Sequence, residues 1–285
     1  MNLIDCHTHT QFSVDSEADI NCMIERAIEL GLAAYAITDH CECNAWYPYD
    51  YYVNNMPDRP DADHFGYEKD FYGSVEAITA LKEKYSGRLN LICGTELGQI
   101  THDMETASKA ASDNRLDFII GSVHQVIGEK DFYYIDYEKM SMEEIYDLLE
   151  RYFKEIYELC RSGIPDVIGH LTYCLRYMKQ RHNICPDICR FDDIIADSFR
   201  ILAQNGKGIE INTSGLRQGF GDTFPDLKYL KLFRELGGEV VSVGSDAHTV
   251  EDLGKGAAEG AELAGAAGFR RLCYFKQRKP VFIEI

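Results

Sequence analysis

Seven short apolar runs, each followed by a longer amphipathic stretch, constrain the fold of this chain more than any other feature. The runs cover 2–6, 34–38, 89–94, 118–122, 167–169, 208–212 and 240–244. Several are β-branched and apolar without strict alternation, the pattern of strands covered on both faces. Between them, Ile20, Met23, Ile24, Ala27 and Ile28 form a helical stripe that stops at Gly31. Ser141 and Glu144 form a capping box ahead of a stripe through Ile145, Leu148, Leu149, Tyr152, Phe153, Ile156 and Leu159, which Gly163 closes. Further helices are predicted near 69–86, 103–115, 192–206, 225–237 and 252–267. The alternation predicts an α/β chain folded as one unit over 1–285, a closed or nearly closed parallel barrel. A doubly wound open sheet has the same alternation and is the alternative. One stretch breaks the rhythm: residues 41–67 carry Trp46, Tyr47, Tyr49, Tyr51, Tyr52, Phe65 and Tyr67, and read as an inserted lid or pocket wall.

Composition excludes several functions. With 29 Lys plus Arg against 47 Asp plus Glu, the formal charge is −18, wrong for a general binder of nucleic acid or anionic membranes. No apolar run approaches a membrane span, and the first residues, Met1 to His7, do not read as a signal peptide. A soluble, cytoplasmic protein is expected. Its ten cysteines, several within apolar runs (Cys6, Cys22, Cys93, Cys160), then read as buried reduced thiols, and the Cys185–Cys189 pair as structural.

The chemistry is carried by the residues at the strand ends. His7 and His9 follow the first strand, Asp39 and His40 the second, Glu96 the third, His124 the fourth, His170 the fifth, Asn212 the sixth, and Asp246 and His248 the seventh. Six of the nine histidines therefore stand at strand ends, which converge on one face of a parallel barrel. Residues two apart on an extended strand point to the same side, as His7 and His9 do, and Asp246 and His248 repeat that spacing. Imidazole and carboxylate without cysteine suit zinc, manganese or iron, and the number of donors implies two or three ions. Ions a few ångströms apart acidify a shared water and clamp the oxygens of an in-line phosphoryl displacement, so phosphoester hydrolysis is the first candidate reaction and amide hydrolysis the second.

These residues carry a resemblance. His7-Thr8-His9, Thr38-Asp39-His40, Gly94-Thr95-Glu96, Gly121 to His124, Gly169-His170, Glu210 to Thr213 and Gly244 to His248 resemble the motif series of the PHP (polymerase and histidinol phosphatase) family, above all its stand-alone histidinol-phosphatase branch. The resemblance implies a distorted (β/α)7 TIM-like barrel with a trinuclear metal centre at the C-terminal ends of the strands. It implies that His7, His9, Glu96 and Asp246 hold one ion, that Glu96 bridges to a second held by His124 and His170, and that Asp15, His40 and His248 hold the third. Residues 13–17 also read as a helix start, with Ser13, Asp15 or Ser16 as N-cap. Asp39 is expected to orient a ligand or assist proton transfer, with a purely structural acceptor as the alternative.

The implied reaction is hydrolysis of a small phosphomonoester, histidinol phosphate first, with Glu96, Asp39 and Arg217 as catalytic candidates. Arg217 matches the phosphate-binding arginine of that branch, and Arg176 is the next candidate. The imidazole end of such a substrate would suit an aromatic or acidic wall drawn from 41–67; His64, His102 and His182 have no place in the motif series. Three alternatives differ in a readable way. Another PHP phosphoesterase would differ in substrate, and an amidohydrolase would carry a bridging lysine where Glu96 stands. A non-enzymatic metal-binding module would show eroded ligands.

Overall fold

The computed structural model describes residues 2–55 and 64–285. Its elements, in chain order, are β1 (Ile4–Asp5), α1 (Ile20–Glu29), β2 (Ala34–Ile37), β3 (His40–Glu42), α2 (Tyr49–Asn55), α3 (Tyr67–Lys84), β4 (Leu91–Gly98), α4 (Met104–Ala111), β5 (Phe118–Ser122) and α5 (Met142–Ser162). They continue with β6 (Val167–Ile168), α6 (Arg176–His182), α7 (Asp192–Gln204), β7 (Gly208–Asn212), α8 (Ser214–Arg217), α9 (Leu227–Glu235), β8 (Val240–Gly244), α10 (Ala257–Ala266), β9 (Arg271–Lys276) and β10 (Lys279–Glu284).

Seven parallel strands run in the order β1-β2-β4-β5-β6-β7-β8, and β3 adds to β4 beside that path. The chain just past β1 closes the ring. Cys6 N donates to Val243 O, Asp246 N to His7 O and His9 N to Ala247 O, each at 2.8 Å, while Thr38 N donates to Thr8 O at 2.9 Å. The result is the expected barrel rather than the open sheet. Its staves are fully buried and mostly apolar, as runs covered on both sides must be.

The helices follow their sequence signals. The α5 capping box is present, all seven stripe residues are buried, and Gly163 closes the helix in the left-handed region at φ 66°. Each buried side chain of that size contributes roughly 1.5–3 kcal/mol through lost apolar exposure. The N-cap of α1 is Asp19, whose side chain accepts from Asn21 N and Cys22 N. The start expected at 13–17 is instead a loop. The predicted helix at 252–267 begins only at Ala257, because Gly254 and Gly256 hold φ of 77° and 79°.

The strand reading missed the C-terminal hairpin β9–β10. Its two-residue turn, Gln277 and Arg278 at φ 49° and 62°, tucks against the N-terminal ends of β5 and β6. There Gln277 N donates to Asp117 Oδ1 at 3.0 Å, and Arg278 Nε pairs with Asp166 Oδ2 at 2.5 Å. That end of the barrel is thereby plugged, which leaves the opposite end for chemistry.

No disulfide joins the cysteines among the described residues, and seven of the ten are buried as expected, but Cys22, Cys185 and Cys189 are exposed. Cys22 sits on the outer side of the α1 stripe. No helix among the described residues is long and apolar enough to cross a membrane.

Candidate metal centre

The residues expected at the strand ends converge at the C-terminal mouth of the barrel. Glu96 lies within β4, which runs two residues past it to Gly98, and β3 sets His40 beside it in register. Glu96 Oε1 is 2.7 Å from His170 Nε2 and 3.1 Å from His124 Nε2. Its Oε2 is 2.9 Å from His40 Nδ1, 3.2 Å from His7 Nε2 and 3.5 Å from His9 Nε2. Asp246 Oδ1 is 3.4 Å from His9 Nε2 and 3.7 Å from His248 Nδ1. Asp15, at the outer edge, is 3.2 Å from His248 Nε2 and 3.6 Å from His40 Nε2.

The imidazoles are held with chosen nitrogens facing inward. His7 Nδ1 lies 2.6 Å from Glu210 Oε1, so it carries the proton and leaves Nε2 bare. The Ser13 hydroxyl donates to Asp39 Oδ1 at 2.8 Å and therefore accepts from His9 Nδ1 at 3.0 Å. His124 Nδ1 lies 2.9 Å from Glu42 Oε1. Two bare nitrogens consequently meet, His7 Nε2 and His9 Nε2, 3.1 Å apart, while the bare Nε2 of His124 lies 3.3 Å from His170 Nε2. Two lone pairs at that distance repel unless a cation lies between them, so the donor set fits divalent ions. Among the described residues four three-donor groups arise: His7, His9 and Asp246; His7, Glu96 and His170; His40, Glu96 and His124; and His9, His40 and His248.

Burial and mutual charge oppose each other here. Burial alone would lift the Glu96 carboxyl, but the imidazoles of His7, His124 and His40 outweigh it and hold it well below the usual range. Burial works against the charged form of His7, yet the carboxylates of Glu210, Glu96 and Asp246 raise its pKa well above normal, so Nε2 faces a negative pocket that a divalent ion would neutralise in place of a second ring proton. His9 is lowered by burial, with His248 and His40 adding to the effect.

Access is through a cavity of about 600 Å³ lined by Asp15, His40, Glu96, His124, His170, Asp246, His248, Arg176 and Arg217. His7 and His9 lie beneath it, fully buried. Arg217 is tied down, donating to Ser245 O at 2.5 Å and Asp246 O at 2.8 Å, with Asp252 3.2 Å from its Nε. Arg176 stacks over the Tyr177 ring at 5.2 Å; it has no ion pair among the described residues, and its buried Nε has no hydrogen-bond partner.

Asp39 does not line the cavity. It accepts from Thr10 N, Thr10 Oγ1, Ser13 Oγ and Ser74 Oγ at 2.6–2.9 Å, so its link to the cluster runs through Ser13, which accepts from His9 Nδ1 and His40 N. The 41–67 segment supplies Glu42, Asn44, His64 and Tyr67 to the cavity, but Trp46 and Tyr52 pack in the interior, and residues 56–63 lie outside the described residues. Most of the aromatic wall comes instead from Tyr133, Tyr134, Tyr173 and Tyr177. His64 lines the rim, paired with Asp70, whereas His102 and His182 pair with Glu155 and Glu138. Sequence reasoning gave no role to Glu42, Glu210 or Asp5. Asp5 accepts from Ser245 N at 2.9 Å, Ser245 Oγ at 2.6 Å and Gly254 N at 2.8 Å, tying the end of β1 to the end of β8. Each stands two residues from a strand-end histidine or asparagine, the one signal that pointed to it.

A seven-stranded parallel barrel with a histidine–carboxylate cluster at its C-terminal mouth defines a class of hydrolase scaffolds able to hold metal. Within that class, the chain belongs to the PHP domain family, which it matches over residues 5–214. It is 29% identical over 258 residues to a Thermotoga maritima protein named "Probable histidinol-phosphatase", covering 90% of this chain and 89% of that one. A Lactococcus lactis histidinol-phosphatase is 25% identical over 287 residues, covering 98% and 96% of the two chains. The crystal structure of histidinol phosphate phosphatase from Lactococcus lactis, complexed with zinc, L-histidinol and phosphate, superposes with a TM-score of 0.77 at 22% identity, covering 98% of this chain and 99% of that one.

Proposed function

We propose that this protein is a metal-dependent phosphomonoesterase that hydrolyses L-histidinol phosphate to L-histidinol and phosphate. The observation that carries the reading is Arg176, an arginine without a carboxylate partner among the described residues, lining the same cavity as the imidazole–carboxylate cluster. The relatives named for this activity support the choice of substrate.

Six carboxylates line the cavity beside two arginines: Asp15, Glu42, Glu96, Asp131, Asp246 and Asp252. A phosphate ester would be repelled by such a wall unless two or three divalent ions, zinc, manganese or iron, neutralise it. His7, His9, Glu96 and Asp246 would hold one ion, Glu96, His124 and His170 a second, and Asp15, His40 and His248 a third. Bound ions supply Lewis acidity toward the phosphoryl oxygens and acidify water. The chain contributes position and charge. Arg176 and Arg217 bind the phosphoryl oxygens and favour the transition state, where charge on those oxygens grows. Glu210, Ser13 and Glu42 hold His7, His9 and His124 in one tautomer each. Tyr133, Tyr134, Tyr173 and Tyr177 receive the imidazole of the leaving alcohol, and Asp131 attracts its positive charge. An amidohydrolase reading is disfavoured because no lysine lines the cavity among the described residues and Glu96 occupies the shared position. The substrate is a small phosphorylated molecule; neither nucleic acid nor a membrane suits this acidic chain.

The test is phosphate release by metal-reconstituted protein across a phosphomonoester panel led by L-histidinol phosphate, with a chelated control. Turnover favouring histidinol phosphate supports the reading. Turnover of other esters alone discards the named substrate, and metal-independent release discards the mechanism.

A further inference from the structure

We propose that Glu42 is a positioning residue for the centre: its carboxylate, braced by Gln99 over the backbone of Gly98, fixes His124 with Nε2 bare toward Glu96 and so governs retention of the ion His124 holds. The inference rests on the metal-centre reading above.

The short strand β3 makes the arrangement possible. Glu42 follows His40 by two residues on extended backbone, so both side chains lie on one face. The register sets His40 opposite Glu96 and Glu42 opposite Gly98. Glu42 then divides its two oxygens: Oε1 lies 2.9 Å from His124 Nδ1, and Oε2 accepts from Gln99 Nε2 at 2.7 Å. Gln99 returns to the same histidine, its Oε1 accepting from His124 N at 3.1 Å. Backbone and ring of His124 are therefore gripped by two side chains that also grip each other.

Two backbone features exist to permit this. Gln99 sits in the left-handed region at φ 53°, which non-glycine residues seldom adopt without compensating contacts. A Cβ on Gly98 would stand 2.2 Å from Glu42 Oε2, so only glycine lets the carboxylate rest there. Glu42 belongs to none of the three-donor groups among the described residues, and its Oε1 is 3.9 Å from His40 Nδ1. It acts on the ion through His124, by holding the Nδ1 proton and raising the basicity of Nε2.

The experiment uses full-length protein loaded with manganese. Metal retained per chain is measured at buffered free manganese for wild type, Glu42→Ala, Glu42→Gln and Gly98→Ala, beside thermal unfolding of the chelator-stripped proteins. Glu42→Ala is expected to weaken retention of one manganese equivalent about ten- to a hundredfold. Glu42→Gln, which keeps an acceptor for the His124 proton, should fall between it and wild type. Gly98→Ala, which displaces the carboxylate while leaving Glu42 in place, should reproduce the loss. Equal retention in Glu42→Ala and wild type overturns the inference. So does a lowered melting temperature of the stripped variant without change in retention, which marks a structural role. Wild type that holds no manganese, zinc or iron overturns the metal-centre reading itself.

Discussion

Glu210 Oε1 lies 2.6 Å from His7 Nδ1, joining the sixth barrel strand in path order to the first across the buried floor of the site. The second oxygen of the same carboxylate accepts from His170 N at 2.8 Å and Asn212 Nδ2 at 3.3 Å. Room for it comes from Gly244, where a Cβ would stand 2.3 Å from both Glu210 Oε1 and His7 Cβ. One acid therefore fixes the ring of His7 and the backbone of His170. Glu210→Gln should keep the shape but lose the charge that fixes the His7 proton, lowering metal affinity about ten- to a hundredfold. Chelator competition on the purified variant measures it, and wild-type affinity would refute the assignment.

Glu96 faces five imidazoles at once, with Oε1 toward His124 and His170 and Oε2 toward His7, His9 and His40. A neutral amide there would present N–H groups to bare nitrogens and supply no charge to an ion. Glu96→Gln should lower turnover by roughly three orders of magnitude or more, on the scale of losing a preorganised electrostatic contact, and should reduce bound metal. Steady-state phosphate release and metal analysis of the same preparation check both. Near-wild-type turnover would sink the bridging assignment.

Much of this was legible in the sequence, and the reasons are physical. Strand-end histidines and acids could be placed because a parallel barrel gathers its strand ends on one face, whatever the loops do. The α5 stripe was readable because capping box, helical period and terminal glycine agreed. Asp39 was harder: its type and place next to His40 suit catalysis, and only the fold reveals Thr10, Ser13 and Ser74 saturating its oxygens. The aromatic segment 41–67 was legible only in part because ring content does not say which way rings face: Tyr67 lines the cavity, whereas Trp46 faces Phe71 in the interior. Strand β3 and the terminal hairpin escaped because three residues and an αL turn without glycine leave no periodic trace.

The two arginines should separate experimentally. Arg217 already spends donors on Ser245 O and Asp246 O, so Arg217→Ala disturbs the loop carrying Asp246 as well as the phosphate. Arg176 makes no such backbone contacts among the described residues. Arg176→Met, which keeps a long stem against Tyr173 and Tyr177, should cost about 1.5–3 kcal/mol of transition-state binding, the worth of a hydrogen bond to a charged group. That is roughly ten- to a hundredfold in kcat/KM with metal content unchanged. Arg176→Lys should not fully rescue, because a point charge cannot reproduce the planar fork. Unaltered kinetics in Arg176→Met would remove it from the phosphate site.

At the plugged end of the barrel, Asp166 is buried and pairs with Arg278 Nε at 2.5 Å and Lys207 Nζ at 3.0 Å, while accepting from Ile119 N at 3.0 Å. Asp166→Ala would strip the counter-charge from Arg278, orphan a backbone donor on β5 and loosen the turn that seals the floor. Removing one partner of a buried pair typically costs about 3–5 kcal/mol. Arg278 and Lys207 are both partly exposed, at 26% and 24%, and can recover some hydration, so the lower end of that range is expected. Denaturant unfolding of the variant measures the loss. Because Asp166 precedes β6 and His170 follows it, metal content and kcat of the folded fraction should stay near wild type. A variant as stable as wild type would show that the hairpin does not depend on this pair, and a stable but metal-depleted one would show that the floor communicates with the mouth.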